Sequence, residues 1–180
     1  MYVRLFLTGV ACVGKTTIGR RAAELLAVPF FDLDHQVEAF FSSTISSLRR
    51  EHLTEYSYRL AASKALVELL SRPESHDCVI ALPPSGLMSG YLAVLKKSPR
   101  TVAVLHDKPE NILERIVFYD DDSRRLEVEL SDGERALYMR EIKEDLTYFG
   151  RSYKRADLQI VITGLGVEEA ARKVVEFAVR

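Results

Sequence analysis

The chain has 180 residues, a size that suits one compact domain. It is 47% hydrophobic and 28% charged, with a formal net charge of -1, which argues against a general nucleic-acid or membrane-surface binder, since both need an excess of Lys and Arg. No apolar run approaches bilayer length, the opening residues read as a strand instead of a signal peptide, and Cys12 and Cys78 are too few for a disulfide framework, so a cytoplasmic protein is expected.

Residues 2–7 form a short apolar run rich in strand formers, stopped at Gly9. Residues 14–27 show helical spacing, with Ile18, Ala22, Leu25 and Leu26 on one side. A short strand is expected over 28–31 and a helix over 35–41, with a break or new helix start near Thr44. A long helical pattern covers 53–70, with Leu60, Leu66, Val67 and Leu70 as core candidates, and Pro73 ends it. The runs 78–82, 101–105 and 158–162 are continuously apolar, as in parallel strands buried on both faces. Helices are expected at 89–97, 109–119, 134–154 and from 167 onward. This alternation predicts a three-layer α/β fold with about five parallel strands, in one domain. Residues 120–133 interrupt it with a charge-rich stretch, which reads either as a solvated loop or as a lid over a ligand. The aspartates at 120–122 read as a solvated run, and Tyr138, Tyr148 and Tyr153 as packing residues of the penultimate helix.

Gly9-Val-Ala-Cys12-Val13-Gly14-Lys15-Thr16 fits the P-loop pattern, and it lies between an expected strand and an expected helix as that pattern requires. The glycines permit a tight turn whose N–H groups point into one concavity, and the following helix adds its positive end. Lys15 can reach the β- and γ-phosphates, and the Thr16 hydroxyl suits Mg²⁺. Cys12 reads as a small residue in a crowded turn. A nucleoside triphosphate site running from Gly9 to Thr17, for ATP with Mg²⁺, follows.

Asp32 and Asp34 stand at the carboxyl end of the second strand, the edge where ligands bind in open α/β sheets. Treated as extended, the segment points both carboxylates the same way. One could hold the metal while the other accepts a proton from an attacking hydroxyl. The structural alternative is that Asp34 caps a helix beginning at His35.

With its P-loop ending Lys-Thr-Thr, the helix after it and Asp32-Leu33-Asp34 closing the second strand, the chain resembles the shikimate kinase family. The resemblance implies a P-loop fold of the nucleoside monophosphate kinase group, with strand order 2-3-1-4-5. It implies transfer of the ATP γ-phosphoryl to a hydroxyl of shikimate or another small hydroxylated acid. It assigns Cys12, Val13, Gly14, Lys15, Thr16 and Thr17 to the phosphates, Thr16 and Asp32 to Mg²⁺, and Asp34 to the acceptor hydroxyl as the candidate base. It assigns Arg59, from Tyr58-Arg59, to the acceptor carboxylate and Arg124 of the lid to ATP. Arg151 is the nearest match to a second substrate arginine, at altered spacing. The acceptor-binding helices would lie at about 33–71, in a monomer or weak homo-oligomer.

The acceptor half departs from the family. Leu82-Pro83-Pro84-Ser85-Gly86 stands where the family carries three consecutive glycines, and the prolines remove two N–H donors. Ala62 stands where the family carries Glu. Two function classes therefore stay open: a Mg-ATP-dependent small-molecule kinase, or a degenerate kinase-like ATP-binding protein with a sensing or regulatory role.

Overall fold

The computed structural model describes residues 4–98, 101–119, 125–126 and 128–178. Five parallel strands form the central sheet: β1 (Arg4–Thr8), β2 (Phe30–Asp32), β3 (Cys78–Ala81), β4 (Thr101–His106) and β7 (Leu158–Val161). Their order across the sheet is β2-β3-β1-β4-β7, the expected 2-3-1-4-5. Leu5 pairs with Val79 on one side and Thr101 on the other, so β1 is central. All four residues of β3 and the middle four of β4 are buried, which is why both read as unbroken apolar runs.

Among the described residues eight α-helices flank the sheet: α1 (Lys15–Leu26), α2 (Leu33–Phe41), α3 (Ile45–Glu51), α4 (Glu55–Ser71), α5 (Ser89–Leu95), α6 (Pro109–Leu113), α7 (Asp132–Tyr153) and α8 (Val167–Ala178). Thr54 and Ser57 close a reciprocal capping box that starts α4, and Ser131 with Glu134 does the same for α7. Among the described residues no helix is long and apolar enough to cross a membrane.

Three expectations are corrected. The helix placed at 109–119 stops at Leu113, and Phe118–Tyr119 form a short strand, β5, antiparallel to β6 (Arg125–Leu126). The pairing falls at the start of the lid expected over 120–133, of which 120–124 and 127 lie outside the described residues. In α4 the buried face is Tyr58, Ala62, Ala65, Leu66 and Leu69, at the spacing of one helical stripe. Leu66 is in the core as expected, but Leu60 and Val67 are 51% and 54% exposed. The helix buries a single stripe, and these two residues fall outside it. Finally, α2 begins two residues before His35, so Asp34 does not cap it. Asp32 does, accepting from the Asp34 N–H at 3.1 Å.

Asp107 fixes the end of β4 to its surroundings. Its side chain is fully buried and accepts from the Lys108 N–H at 2.8 Å, Asn111 Nδ2 at 2.7 Å and Thr163 Oγ1 at 2.8 Å. Arg115 Nη1 lies 2.6 Å from its other oxygen. Burial alone would raise the carboxyl pKa, but these four donors outweigh it and hold the group below the usual carboxylate range. Its stabilising contribution is thus complete above the ordinary aspartate pKa and is lost as pH falls through the lowered folded value. Asp107→Ala is expected to cost about 3 kcal/mol, read as a lower denaturant midpoint at unchanged slope. A midpoint equal to wild type would refute this.

Candidate active site

The carboxyl ends of β1, β2, β3 and β4 meet at one edge of the sheet. Between β1 and α1 the chain turns through Gly9 at φ +145° and Gly14 at φ +107°, backbone that side-chain-bearing residues rarely adopt. A Cβ on Gly9 would stand 2.8 Å from the Leu105 carbonyl oxygen, so the loop lies directly on β4. Cys12 also has positive φ, 58°, and is exposed. Though the residue is exposed at the surface, the protein around the thiol partly desolvates it and raises its pKa, with Lys15 pulling the other way. Val13 is buried, while Thr17 is exposed in the first turn of α1. The loop and the N-terminus of α1 thus form an anion cradle.

Lys15 Nζ folds back into this cradle and donates to the Gly9 and Val10 carbonyls at 3.0 and 2.8 Å. Burial pushes its pKa down to about 8, against the opposing pull of Asp34, Cys12, Asp32 and Asp145. Thr16 Oγ1 donates to Asp32 Oδ2 at 2.7 Å. The two residues expected to hold Mg²⁺ are therefore adjacent, and both offer hard oxygen donors, the type this ion takes. Among the described residues no group of three or more His, Cys, Asp or Glu side chains is arranged to hold a metal ion.

Asp34 lies in the first turn of α2, not on an extended segment, yet its carboxylate still comes near Asp32 and Lys15. Its pKa is raised, first by burial and then by repulsion from Asp32, with Lys15 and Arg49 pulling the other way. On the far side of Asp34 stand α3, α4 and α5. Tyr58 is buried, and its pKa is raised by burial and then by the charge on Asp34. The buried Tyr91 hydroxyl lies beside it.

Arg59 is 6% exposed. Its Nη2 is 3.7 Å from Glu55 Oε2, and its buried Nε has no hydrogen-bond partner. Arg151 is exposed in the last turn of α7. Arg124 lies outside the described residues. Both bonds preceding Pro83 and Pro84 are trans. The turn they form is pinned by Thr8 Oγ1 and the Gly86 N–H, which donate to the Pro83 carbonyl at 3.2 and 2.8 Å.

Sequence reasoning missed three participants. Arg49, on α3, places its guanidinium 5.3 Å from the Tyr58 ring centroid. Arg115 donates to the Val13 carbonyl at 3.4 Å, tying the P-loop to Asp107. Asp145, on α7, contributes to the field at Lys15. None belongs to a motif, so no local signal marks them.

The chain is similar to known proteins of one family. The family model described as shikimate kinase matches residues 11–178. The chain is 31% identical over 171 residues to a shikimate kinase of Caldanaerobacter subterraneus subsp. tengcongensis, covering 95% of this chain and 93% of that one. It is 30% identical over 155 residues (86% of this chain) to a bifunctional shikimate kinase/3-dehydroquinate synthase of Thermotoga maritima, of whose length it spans 29%. The solved structure of a shikimate kinase from Acinetobacter baumannii in complex with shikimate superposes with a TM-score of 0.76 at 25% identity, covering 99% of this chain and 94% of that one. With the P-loop, the paired aspartates and the strand order all in place, the chain belongs to the shikimate kinase family and is an ATP-dependent phosphotransferase.

Proposed function

We propose that this protein transfers the γ-phosphoryl group of ATP to a hydroxyl of shikimate or of another small hydroxylated acid. The observation that carries the reading is the position of Asp34. Its carboxylate feels the charge of Lys15 in the phosphate cradle and of Arg49 beside the acceptor helices, and its own charge reaches Tyr58. A base there can reach a hydroxyl lined up with the phosphate chain, and positioning with charge neutralisation is most of what phosphoryl transfer requires.

In this reading Gly9 and residues 12–17 bind the triphosphate through backbone N–H groups, and Lys15 leaves its carbonyl partners for the β- and γ-oxygens. Thr16 and Asp32 hold Mg²⁺, which supplies charge neutralisation across the phosphates. Asp34 orients the acceptor hydroxyl and takes its proton. Arg59, with an unpaired buried donor, grips the acceptor's carboxylate. Residues 33–71 carry the acceptor and residues 120–133 serve as the lid, whose Arg124 lies outside the described residues.

The test is ADP release from Mg-ATP against a panel of shikimate, quinate, gluconate and neutral polyols. Acid-stimulated release is expected, abolished with a neutral ester of the same acid. One observation favours the second reading: the Pro83-Pro84 turn leaves two fewer N–H donors where an acceptor would rest. ATP binding with no acceptor-stimulated release across the panel would replace the kinase reading with that of an ATP-responsive binding protein.

A further inference from the structure

Glu55 stands between two arginines. Its Oε1 is 3.7 Å from Arg49 Nε, and its Oε2 is 3.7 Å from Arg59 Nη2. Both separations exceed the roughly 2.7–2.9 Å of a charge-assisted hydrogen bond, so one carboxylate is shared loosely by two guanidinium groups. Glu55 is itself about half exposed, with a side-chain exposure of 51%, and such a contact stabilises the fold little.

The two arginines differ in what holds them. Arg59 is almost wholly buried in α4, and its Nε lacks an acceptor. An unpaired buried donor on a cation is costly, and the cost is removed when an anion reaches it. Arg49 is half exposed, but its guanidinium is positioned over the ring of the buried Tyr58. Its charge also reaches Asp34, where it favours the ionised carboxylate. The pair therefore flanks the ground just beyond the base, with a substitutable carboxylate between its members.

We propose that Arg49 and Arg59 form a two-armed grip for the acceptor's carboxylate, and that Glu55 is an internal placeholder which the acceptor displaces. The proposal rests on the reading of the acceptor as an acid and adds the residue that supplies its second cationic contact. Arg151, exposed on α7, makes no hydrogen bond or ion pair among the described residues, so a comparable pairing is not built there. Displacing Glu55 costs the protein little, because it swings into solvent from the exposed first turn of α4. The acid gains a bidentate partner in a site already desolvated on the Arg59 side.

The experiment measures shikimate binding by calorimetry, with a non-hydrolysable ATP analogue present, alongside steady-state turnover. The proteins are wild type, Arg49→Ala, Arg49→Lys, Glu55→Gln and, as a surface control, Arg50→Ala. Arg49→Ala is expected to weaken shikimate binding by about 10- to 100-fold, with the KM for ATP unchanged. Arg49→Lys recovers part of the loss, and Arg50→Ala recovers wild-type values. Glu55→Gln tightens shikimate binding and leaves the methyl ester of shikimate unaffected, a result no structural role for Glu55 produces. Wild-type affinity in Arg49→Ala, or weaker binding in Glu55→Gln, overturns the proposal. Shikimate that binds with these dependences but accepts no phosphoryl group leaves the grip standing and removes shikimate as the substrate. Shikimate turnover that is indifferent to Arg49 does the reverse. A wild-type protein that binds none of the acids overturns the grip and turns the acceptor search to neutral polyols.

Discussion

Lys15→Ala is expected to lower phosphoryl transfer by about 10³-fold or more, the scale of losing a cation that meets the transferring group. The Lys15 ammonium already rests on the Gly9 and Val10 carbonyls, so it is held at the mouth of the loop before any nucleotide arrives. The same burial gives a second, independent readout. With its pKa pushed down to about 8 from an ordinary 10.5, the amine loses its proton just above neutral pH. A triphosphate needs the charged form. The Kd for ATP should therefore be level below pH 8 and rise about tenfold per unit above it. A level profile to pH 9.5 would count against this placement of Lys15. The linked effect on folding has the opposite trend. The unfolded lysine stays protonated up to its ordinary pKa, so the cost of burying the charge is present below pH 8. It is relieved as pH rises from about 8 toward 10.5.

Asp34→Asn is expected to lower kcat by about 10²- to 10⁴-fold while leaving the KM for ATP near wild type. The substitution keeps size and hydrogen-bonding shape, so what it removes is the proton acceptor. Burial and the neighbouring Asp32 raise the Asp34 pKa, and the acid limb of kcat/KM should lie correspondingly above the ordinary carboxylate range. The sign for stability follows from the same shift. The folded protein favours the protonated form, so ionised Asp34 is a burden above its folded pKa, and that burden fades as pH falls through it. Asp34→Asn should thus be nearly inactive yet melt at a higher temperature than wild type at neutral pH. Turnover close to wild type would remove Asp34 as the base. Inactivity with a lowered Tm would point to a structural role instead.

Much of the donor half was legible in the chain itself. Gly9, Gly14, Lys15 and Thr16 act within one turn of backbone, so their spacing alone encodes the loop. About five parallel strands were legible too, because continuous apolar runs alternating with amphipathic segments mark buried strands joined by helices, whereas their order came from the family resemblance. The paired aspartates were recognised, but their local geometry was not. Asp32 ends β2 and caps α2, and that boundary depends on one side-chain hydrogen bond, which residue spacing does not reveal.

The acceptor half was decided in three dimensions. Leu60 and Val67 read as core because apolar residues on a long helix usually are, but only the packing partners of α4 determine which stripe is covered. Arg49, Glu55 and Arg59 come from two helices whose crossing brings one carboxylate between two guanidinium groups. Arg115 and Asp107 support the P-loop from the carboxyl end of β4 through a contact spanning 102 residues. The sequence by itself determined the phosphate cradle, whose parts are neighbours along the chain. The tertiary structure alone decided what faces it, because those groups are brought together by helix packing and not by covalent proximity.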